Sequence, residues 1–472
     1  MPLAVDLDGT LVATDTLWES ALALLRQRPG SVFALPFWVL GGRARFKSEL
    51  AARVCPDAAA LPYREDVLAY LHEARAEGRP VVLATASHQR TAQAVADHLG
   101  IFHAVMASEG GVNLKGPHKA DALATAFGEK GFEYIGDAAA DRPVFARAGA
   151  ASWVGRDERE AEKATEGAPL ARTFLVPPAG LGAWLKALRV HQWVKNVLIF
   201  LPILASHRLT EPSLWATAAL AFLCLSLCAS TVYIFNDLMD LEADRRHPTK
   251  CRRPFASGRL SIPQGLAAVP LLLGAGLGLS VAFLPAVFTG CLGAYLGLNA
   301  IYTFGLKRVA IADVIFLACL YSLRVLAGGL ALDIVVSPWL IGFSLFFFLN
   351  LAFLKRYADL QLVAAAKGDS SPGRDYSVED APLLLSLGPA AGYMAVVVLA
   401  LYVQSDNVTI LYSRPEVLWA LIPLVAYWIS RVWLIAHRGQ MEDDPVLFAT
   451  QDPVSYLVGA LAVAVLALGS AL

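Results

Sequence analysis

The sequence has no surplus of basic residues, since 39 Lys and Arg stand against 40 Asp and Glu over 472 residues, a formal net charge of −1. Proteins that bind nucleic acid through bulk electrostatics need such a surplus to release counterions, so we expect no nucleic-acid partner. Charge of either sign is also scarce, at 17 %, whereas 56 % of the residues are hydrophobic. This composition excludes disorder and predicts that part of the chain lies in a lipid bilayer.

Cysteine is sparse as well, with six residues in the whole chain. They lack the paired spacing of a metal site or a disulfide framework, and Cys224 and Cys228 are expected to be small packing residues in an apolar helix. Residues 1–15 lack a basic segment followed by an apolar core, so the sequence predicts no cleavable signal peptide. The N-terminal part is therefore expected in the cytoplasm.

Charge is distributed unevenly along the chain. Residues 1–180 contain 41 Asp, Glu, Lys and Arg, whereas the longer remainder, 181–472, contains 38. The first proportion is typical of a globular domain and the second is not. We therefore predict a soluble domain over 1–172, a linker over 173–184 and a membrane domain over 185–472.

Runs without charge predict the membrane spans, because a helix rising about 1.5 Å per residue needs roughly 20 residues to cross a bilayer. A ninth span is predicted at about 193–207, and it is shorter because only 12 residues separate Lys195 from Arg208. The other eight are predicted at about 213–235, 260–306 (two spans, divided at Leu284 and Pro285), 311–332, 338–354, 381–404, 417–436 and 453–472.

Basic residues of the loops predict the orientation of these spans. With nine spans, most loop Lys and Arg lie on one side, and only Arg208 and Arg414 lie on the other. Basic loops stay in the cytoplasm, which puts the N-terminal domain there and the C-terminus outside. The prediction is a multi-pass protein of the inner or plasma membrane.

Three short apolar runs in the N-terminal part end in polar side chains. Asp6 and Asp8 follow the first run, Thr85 ends the second, and Asp137 and Asp141 follow the third. Helical patterns separate the runs, so the predicted class is α/β with a parallel sheet. The carboxyl ends of neighbouring parallel strands converge on one crevice, so these side chains are expected to share a pocket.

This set of groups suits phosphoryl transfer, with Lys119 as a further candidate ahead of a helical segment. One carboxylate attacks phosphorus, the carboxylate two residues on protonates the leaving group, and Mg²⁺ and lysine neutralise the phosphate oxygens. Asp residues also form caps and turns at strand ends, and for Asp141 alone that structural interpretation stays open.

Residues 1–168 resemble the haloacid dehalogenase superfamily of phosphatases, whose four motifs appear here in order. The resemblance implies a Rossmann-like fold with a helical cap over about 16–63. It implies that Asp6 is the nucleophile and Asp8 the general acid/base. Thr85 would be the phosphate-binding hydroxyl, with Ser87 as a competing candidate. The resemblance further implies a phosphate-binding lysine and Mg²⁺ ligands, namely Lys119 and the acids Asp6, Asp8, Asp137 and Asp141.

A second acidic motif follows the apolar run at 213–235. Asp237, Asp240 and Asp244 are spaced so that a helix would place them on one face. Three unpaired carboxylates so arranged repel each other, and bound Mg²⁺ would remove that repulsion and prepare a site for a diphosphate. A solvated loop in which acids and bases simply pair is the alternative.

This motif resembles the first aspartate-rich motif of the UbiA superfamily of intramembrane prenyltransferases, and the resemblance covers about 185–472. It implies an all-α membrane domain with nine transmembrane helices, Mg²⁺ as cofactor, and Asn236, Asp237, Asp240 and Asp244 in the site. Members of this superfamily generally carry a second aspartate-rich motif, but the corresponding segment, 307–317, offers only Asp313.

Other segments look like the branch of this superfamily that transfers phosphoribose from 5-phosphoribose 1-diphosphate to a polyprenyl phosphate. They are 191–196 (HQWVKN), 247–250 (HPTK), 253–254 (RP), 323–324 (LR), 326–329 (LAGG) and 355–357 (KRY). Candidate cations for the phosphate groups are Lys195, Lys250, Arg253, Lys355 and Arg356.

Arg324 lies within an apolar run, where a charge is costly, so we expect it to bind substrate rather than to pair with Asp313 or Asp333. Lys355, Arg356 and Tyr357 are expected at the end of a span, where anchoring at the membrane surface is an alternative role. Arg374 and Tyr376 receive no role.

The sequence thus predicts an Mg²⁺-dependent membrane transferase that makes polyprenyl-phosphoryl 5-phosphoribose, fused to a phosphatase that removes the 5-phosphate of this product. Its partners would be a polyprenyl phosphate, a phosphorylated sugar donor and the lipid bilayer. Two alternatives stay open. The first is a prenyltransferase that moves a polyprenyl chain to an aromatic acceptor, and the second is a non-enzymatic lipid-binding or transport protein with a regulatory soluble domain.

Overall fold

The computed structural model describes residues 1–470 except 110–112, 166–167, 366–368, 370–373 and 442–443. Contacts between Cα atoms divide the chain into two compact units. The first unit comprises Met1–Leu188 and Tyr233–Pro270, and the second comprises Arg189–Val232 and Leu271–Leu472. The first unit therefore includes the acidic motif at 237–244.

A parallel six-stranded sheet organises the first unit, in the order β3-β2-β1-β4-β5-β6. This confirms the predicted α/β class. The strands are β1 Leu3–Val5, β2 Val81–His88, β3 Ala104–Ser108, β4 Glu133–Gly136, β5 Ala150–Gly155 and β6 Leu170–Leu175. The three central strands β1, β2 and β4 correspond to the three apolar runs, and they are almost entirely buried, as expected for a sheet covered on both faces.

Helices surround this sheet. They are α1 Thr16–Gln27, α2 Leu35–Leu40, α3 Arg43–Arg53, α4 Glu65–Ala76, α5 Gln89–Leu99, α6 Pro117–Phe127, α7 Arg142–Arg147, α8 Glu158–Ala164 and α9 Leu181–Ala187. Helix α1 begins where the Asp15 side chain accepts the backbone N–H of Leu17, a typical N-terminal cap. Helices α1 to α3 fall within the predicted cap and share a small apolar core that includes Leu24, Phe46 and Leu50.

The remaining helices are mostly long and apolar. They are α10 Leu201–Ala205, α11 Pro212–Met239, α12 Leu241–Arg246, α13 Ile262–Phe283, α14 Ala286–Phe304, α15 Ala312–Leu332, α16 Pro338–Ala365, α17 Ala381–Val403, α18 Asp406–Leu411, α19 Leu421–His437, α20 Pro445–Ala449 and α21 Pro453–Ser470. Among the described residues, eight helical segments are long and apolar enough to span a membrane. Their number and composition indicate a multi-pass membrane protein.

The predicted ninth span is not confirmed. Its region forms a 3₁₀ helix at Val190–Phe200, followed by the five-residue helix α10. Together they form an apolar segment, Val190–Ala205, that is shorter than the eight spans. The predicted break at Leu284 and Pro285 agrees with the structure, because α13 ends at Phe283 and α14 begins at Ala286.

Helix α16 extends further than expected. The sequence predicts a span that ends at residue 354, but the helix, which is 28 residues long in all, continues to Ala365. Lys355, Arg356 and Tyr357 therefore lie inside a helix, and Arg356 and Tyr357 are buried rather than anchored at its end. Hydropathy does not predict this extension, because Lys355 and Arg356 pair with Asp444 and Asp313, which lie far away in the sequence.

Candidate active sites

The strand ends of the first unit meet at one edge of the sheet, as predicted. Val5 of β1 is in register with Leu83 of β2 and Ile135 of β4. Asp6 lies one residue beyond Val5 and Thr85 two residues beyond Leu83, so the two side chains belong to neighbouring strand ends. The Cβ atom of an alanine at Gly9 would lie 2.2 Å from Asp137 Oδ2, so the loop after β1 passes directly over this acid.

Lys119 joins the acids at this edge. Its Nζ lies 2.9 Å from Asp6 Oδ2 and 3.4 Å from Asp141 Oδ1, and it donates to the Tyr134 hydroxyl at 2.8 Å. Burial alone would lower the pKa of this lysine, but the charges of Asp6 and Asp141 raise it above its usual value. Lys119 is therefore a buried, permanently charged group beside the predicted nucleophile, and Tyr134, which also donates to Asp141, is a site residue that the sequence did not reveal.

Three acids converge closely enough to hold one metal ion. Carboxylate oxygens of Asp6, Asp137 and Asp141 lie within 4.8 Å of one another. Asp141 Oδ2 is buried and has no hydrogen-bond partner among the described residues. Burial, together with the charge of Asp6, raises the pKa of Asp137 to about 7. An unpartnered oxygen within a group of mutually repelling carboxylates fits a hard divalent cation such as Mg²⁺.

Asp8 points to a different set of partners. It accepts the backbone N–H of Thr16 at 2.7 Å and the hydroxyl of Ser87. Burial, followed by the charge of Asp15, raises the pKa of Asp8 to about 6. Asp8 lies outside the group of three acids whose oxygens converge within 4.8 Å, and its roles as general acid/base and as metal ligand stay predictions.

The two candidate hydroxyls, Thr85 and Ser87, have distinct surroundings. Thr85 is fully buried, and its Oγ1 accepts the backbone N–H of Ser87 at 3.0 Å. The Ser87 hydroxyl is engaged with Asp8 and with Thr16 Oγ1 at 2.8 Å. Ser87 therefore orients the predicted general acid/base.

A cavity of about 550 Å³ opens over these groups. Asp6, Asp8, Lys119, Asp137 and Asp141 line its floor, and helices α1 and α3 contribute Trp18, Phe46 and Lys47. The volume lies within the range of small-molecule sites. The cavity therefore brings the strand-end acids and Lys119 together with aromatic and cationic side chains of α1 and α3.

The second acidic motif differs from its predicted geometry. Asp237 lies in α11, Asp240 stands at the break between two helices, and Asp244 lies in α12, so the three acids do not share one continuous helix. Nor are they all unpaired, because Arg253 Nη1 lies 3.1 Å from Asp237 Oδ1 and 2.6 Å from Asp244 Oδ2. The interaction of Arg253 with the acids was missed because spacing alone does not reveal a base that returns from nine residues away.

Asn236 adds an unpaired acceptor beside this motif. Its Oδ1 atom is buried and has no hydrogen-bond partner among the described residues. Burial raises the pKa of the neighbouring Asp244 despite the charge of Arg253. Lys250 lies nearby in the chain and is exposed in a short 3₁₀ helix. An amide oxygen and carboxylates are suitable ligands for a magnesium ion.

In the second unit, two predicted phosphate ligands meet at an acid that sequence reasoning missed. Lys195 Nζ lies 2.7 Å and Lys355 Nζ lies 2.6 Å from the same atom, Asp444 Oδ2. Although burial would raise it, the pKa of Asp444 is held well below its usual value by Lys355 and Lys195. In the sequence, Asp444 followed by Pro445 indicates the beginning of a helix, and Asp444 does cap α20. This pattern does not indicate that Asp444 pairs with two lysines.

Arg324 is buried in α15 and forms no ion pair with Asp313 or Asp333, the two acids that the sequence offered as partners. It donates to Asn196 Oδ1 at 3.0 Å, to the Leu320 carbonyl oxygen at 2.6 Å and to the Tyr295 hydroxyl at 3.3 Å. Among the ion pairs of the described residues, none involves Arg324. Its guanidinium also lies 5.0 Å from the ring centroid of Tyr321.

Asp313 lies in a network that neutralises it. Arg356 Nε donates to Asp313 Oδ2 at 2.6 Å, and the Tyr376 hydroxyl donates to Asp313 Oδ1 at 2.6 Å. Arg374 Nη1 lies 3.7 Å from the same carboxylate. Tyr376 and Arg374, which received no role from the sequence, thus complete the surroundings of Asp313. Arg356, predicted as a phosphate ligand, is bound by this acid and by Asp359.

Comparisons with known proteins agree with both parts of the chain. Residues 175–451 match the model of the UbiA prenyltransferase family, and residues 3–146 match that of haloacid dehalogenase-like hydrolases. The chain is 37 % identical to the uncharacterized protein y4nM of Sinorhizobium fredii, over 98 % of this chain and 89 % of that protein.

Two further relatives match within shorter regions. The chain is 36 % identical to nodulation protein NoeC of Azorhizobium caulinodans, over 57 % of this chain and 87 % of that protein. It is 38 % identical to decaprenyl-phosphate phosphoribosyltransferase of Mycobacterium tuberculosis, over 39 % of this chain and 63 % of that protein.

Proposed function

Because this chain belongs to the UbiA prenyltransferase family and carries a haloacid dehalogenase-like domain, we propose that it makes and then processes a ribosylated lipid. The membrane part transfers phosphoribose from 5-phosphoribose 1-diphosphate to a polyprenyl phosphate. The hydrolase part removes the 5-phosphate of the product. The name of the mycobacterial relative supports the first reaction.

The observation that carries this proposal is the neutralised state of Asp313. A prenyl diphosphate clamp would need a second set of acids free to bind metal. Asp313 is instead fully buried and bound by Arg356 and Tyr376. A buried acid already paired with an arginine is a structural group, since freeing it would leave an uncompensated charge. In 5-phosphoribose 1-diphosphate, one metal-binding acidic motif would bind the diphosphate, and cationic side chains would bind the 5-phosphate at the other end of the sugar.

The donor diphosphate is bound at the remaining acidic motif. Asn236, Asp237, Asp240 and Asp244 would hold Mg²⁺, which supplies charge neutralisation for the diphosphate. Arg253, already within reach of two of these acids, is partly exposed and provides a further cation for phosphate oxygens. A lipid phosphate oxygen then forms a bond with the anomeric carbon, and the bond from that carbon to the diphosphate oxygen breaks.

The second unit supplies cations suited to further phosphate groups. Lys195 and Lys355 carry two positive charges against the single charge of Asp444, which leaves a net positive centre. Arg324 is buried with no acidic partner among the described ion pairs, and this supports an anionic ligand for it. Lys250 is exposed and available for the same role.

The hydrolase chemistry follows from the strand-end groups. Asp6 attacks the phosphorus of the 5-phosphate while Lys119 neutralises the phosphate oxygens, and Thr85 is proposed to bind one of them. Asp8, whose pKa of about 6 leaves part of it protonated near neutral pH, donates the proton to the departing ribose oxygen. It then takes a proton from the water that hydrolyses the aspartyl phosphate.

Mg²⁺ held by Asp6, Asp137 and Asp141 would reduce the repulsion between this phosphate and the acids.

The membrane arrangement proposed with this function has nine crossings. The apolar segment Val190–Ala205 would be the additional crossing beside the eight long helices. With it, the N-terminal domain and the loop containing Cys251 face the cytoplasm, where soluble phosphorylated sugars are available.

The test uses purified full-length protein with labelled 5-phosphoribose 1-diphosphate, Mg²⁺ and a polyprenyl phosphate. We expect a labelled lipid that loses its 5-phosphate with time. Asp240→Asn should form no labelled lipid, and Asp6→Asn should accumulate the phosphorylated product. Both variants remove one charge and keep the side-chain size.

The alternatives give different results in the same assay. A prenyltransferase, the activity in the name of the family, would leave the sugar donor untouched and would consume a prenyl diphosphate with an aromatic acid. A lipid-binding or transport protein would consume neither donor, and both Asp→Asn variants would behave as the wild type does.

A further inference from the structure

A buried ion pair connects the cap helix α1 to the acidic motif within the first unit. Arg245 of α12 donates to both carboxylate oxygens of Glu19, with Nη2 2.6 Å from Oε1 and Nη1 3.1 Å from Oε2. Both side chains are only 8 % exposed. A two-point arginine–carboxylate pair fixes orientation as well as distance. The position of α12 is therefore fixed relative to α1.

Arg245 also holds the segment that follows the acids. Its Nε donates to the carbonyl oxygen of Ala256 at 3.0 Å. Arg253, three residues before Ala256, bridges Asp237 and Asp244. The Arg245 guanidinium thus joins the helix that carries Asp244 to the loop that carries Arg253. Glu19 orients this guanidinium, so the positions of the helix and of the loop both depend on Glu19.

The same turn of α1 contacts the hydrolase site. Thr16, the first residue of α1, donates its backbone N–H to Asp8 at 2.7 Å. Glu19 lies three residues later and accepts the Thr14 hydroxyl at 2.7 Å. A single helical turn therefore contacts the general acid/base of one reaction and the arginine that orders the acids of the other.

A close backbone approach reinforces this connection. Gly258 has φ +71°, and a Cβ atom there would lie 2.3 Å from the carbonyl oxygen of Ala13. Only glycine permits that distance and that backbone conformation without strain. The loop after Arg253 is thus packed against the chain that leads into α1.

We propose that Glu19 is a positioning residue for the transferase reaction, although it belongs to the hydrolase domain. It orients Arg245, which in turn sets the positions of Asp244 and Arg253 for the donor diphosphate and its metal. This inference rests on the proposed function, because the transferase site is the one that Glu19 orders. The cap of the hydrolase domain thereby completes the transferase site.

An exposed ion pair between α12 and another part of the N-terminal domain provides a matched control. Arg246, the next residue of α12, pairs with Asp57 of the N-terminal domain, but its side chain is 60 % exposed. Such a pair is screened by solvent and orders its surroundings weakly. Arg246→Gln therefore removes an arginine from the same helix without disturbing the acids.

The test compares Glu19→Gln, Arg245→Lys and the double variant with Arg246→Gln in full-length protein. We expect Glu19→Gln and Arg245→Lys each to raise the KM for 5-phosphoribose 1-diphosphate about tenfold and to leave the KM for the polyprenyl phosphate unchanged. The double variant should be no worse than the more affected single variant, because both act through one contact. Arg246→Gln should keep the wild-type KM.

A merely structural role for Glu19 predicts other results. It predicts a lower melting temperature with an unchanged donor KM, or equal effects of Glu19→Gln and Arg246→Gln, and either result overturns the proposal. Glu19→Asp, which keeps the charge but shortens the reach, serves if Glu19→Gln does not fold, and it should raise the same KM.

A second readout separates this proposal from the proposed function. If the wild type transfers no phosphoribose, the proposed function fails, and Mn²⁺ binding is measured instead by electron paramagnetic resonance in an Asp137→Asn background. That substitution weakens the hydrolase metal site. Weaker Mn²⁺ binding after Glu19→Gln would still support the positioning role, and unchanged binding would overturn it.

Discussion

At the scale of single residues, Asp313 distinguishes two kinds of transferase. Its carboxylate is fully buried and accepts from Arg356 and Tyr376, each at 2.6 Å. The backbone N–H of Ile311, a residue with φ +66°, also donates to the Tyr376 hydroxyl. A β-branched residue with positive φ is strained, so the contacts around Asp313 must compensate for that cost.

Asp313→Ala should lower the free energy of unfolding by about 3 kcal/mol or more, because it leaves the buried Arg356 with only the partly exposed Asp359 as an acidic partner. Thermal or denaturant unfolding in detergent measures this change. The double variant Asp313→Leu/Arg356→Met should lose less, since it leaves no unpaired buried charge. Full stability of Asp313→Ala combined with lost binding of a prenyl diphosphate would instead assign this acid to a donor site.

Asp6→Asn should reduce hydrolysis of a soluble phosphate monoester by at least about 10³-fold, because it removes the proposed nucleophile and one of the two acids paired with Lys119. Release of inorganic phosphate measures the rate. Asp121→Asn, which removes an exposed acid paired with Arg147, should retain wild-type turnover. Turnover in Asp6→Asn comparable to this control would exclude Asp6 as the nucleophile.

At the scale of helices and strands, the apolar runs predicted the strands that precede the hydrolase acids. Strands β1, β2 and β4 are central and buried, so their apolar runs stand out in the sequence. Strands β3 and β6 lie at the edges of the sheet, and most of their residues are partly or fully exposed. The sequence pattern of such strands is weaker, and they were not predicted.

In the C-terminal part of the chain, the differences between the predicted and the observed helices occur where charged residues form ion pairs. Helix α16 continues through Lys355 and Arg356 because Asp444 and Asp313 neutralise them, a fact of tertiary structure that hydropathy does not contain. On either side of the break at Asp240, Asp237 and Asp244 both pair with Arg253, which lies beyond the motif. Local spacing identified the acids and could not predict their partners.

Asp444 organises elements that are far apart in the sequence. It caps α20 and accepts from Lys195 of the 3₁₀ helix and Lys355 of α16. Asp444→Asn should weaken both contacts and raise the donor KM about 10- to 100-fold, given the strength of hydrogen bonds to charged groups. Steady-state kinetics at saturating polyprenyl phosphate measures this effect.

Asp452→Asn is the matched control for Asp444→Asn. Asp452 also pairs with a base near the C-terminal end, accepting from Arg431 at 2.7 and 2.8 Å, but it contacts neither lysine. We expect stability to fall slightly and the donor KM to stay unchanged. Equal increases of KM in the two variants would mean that Asp444 acts through general packing of this region.

At the scale of the whole molecule, the number of crossings sets the side of each domain. In a cysteine-free background, Asp121→Cys in the N-terminal domain and a restored Cys251 should both resist a membrane-impermeant maleimide in intact cells, whereas Ser413→Cys should react. This pattern requires the segment Val190–Ala205 to cross the membrane. Reaction of the residue-121 cysteine, with Cys251 protected, would leave the chain with eight crossings.

The composition of the first unit also has a consequence for biogenesis. Its first segment ends at Leu188, but the unit is complete only with Tyr233–Pro270. A ribosome adds about 5–20 residues per second, so residues 1–188 exist for roughly 4–16 s before residue 270 is made. During that interval Glu19 has no Arg245 to bind. Completion of the first unit therefore follows synthesis of α11 and α12, and a nascent chain arrested before residue 245 would leave Glu19 without its arginine partner.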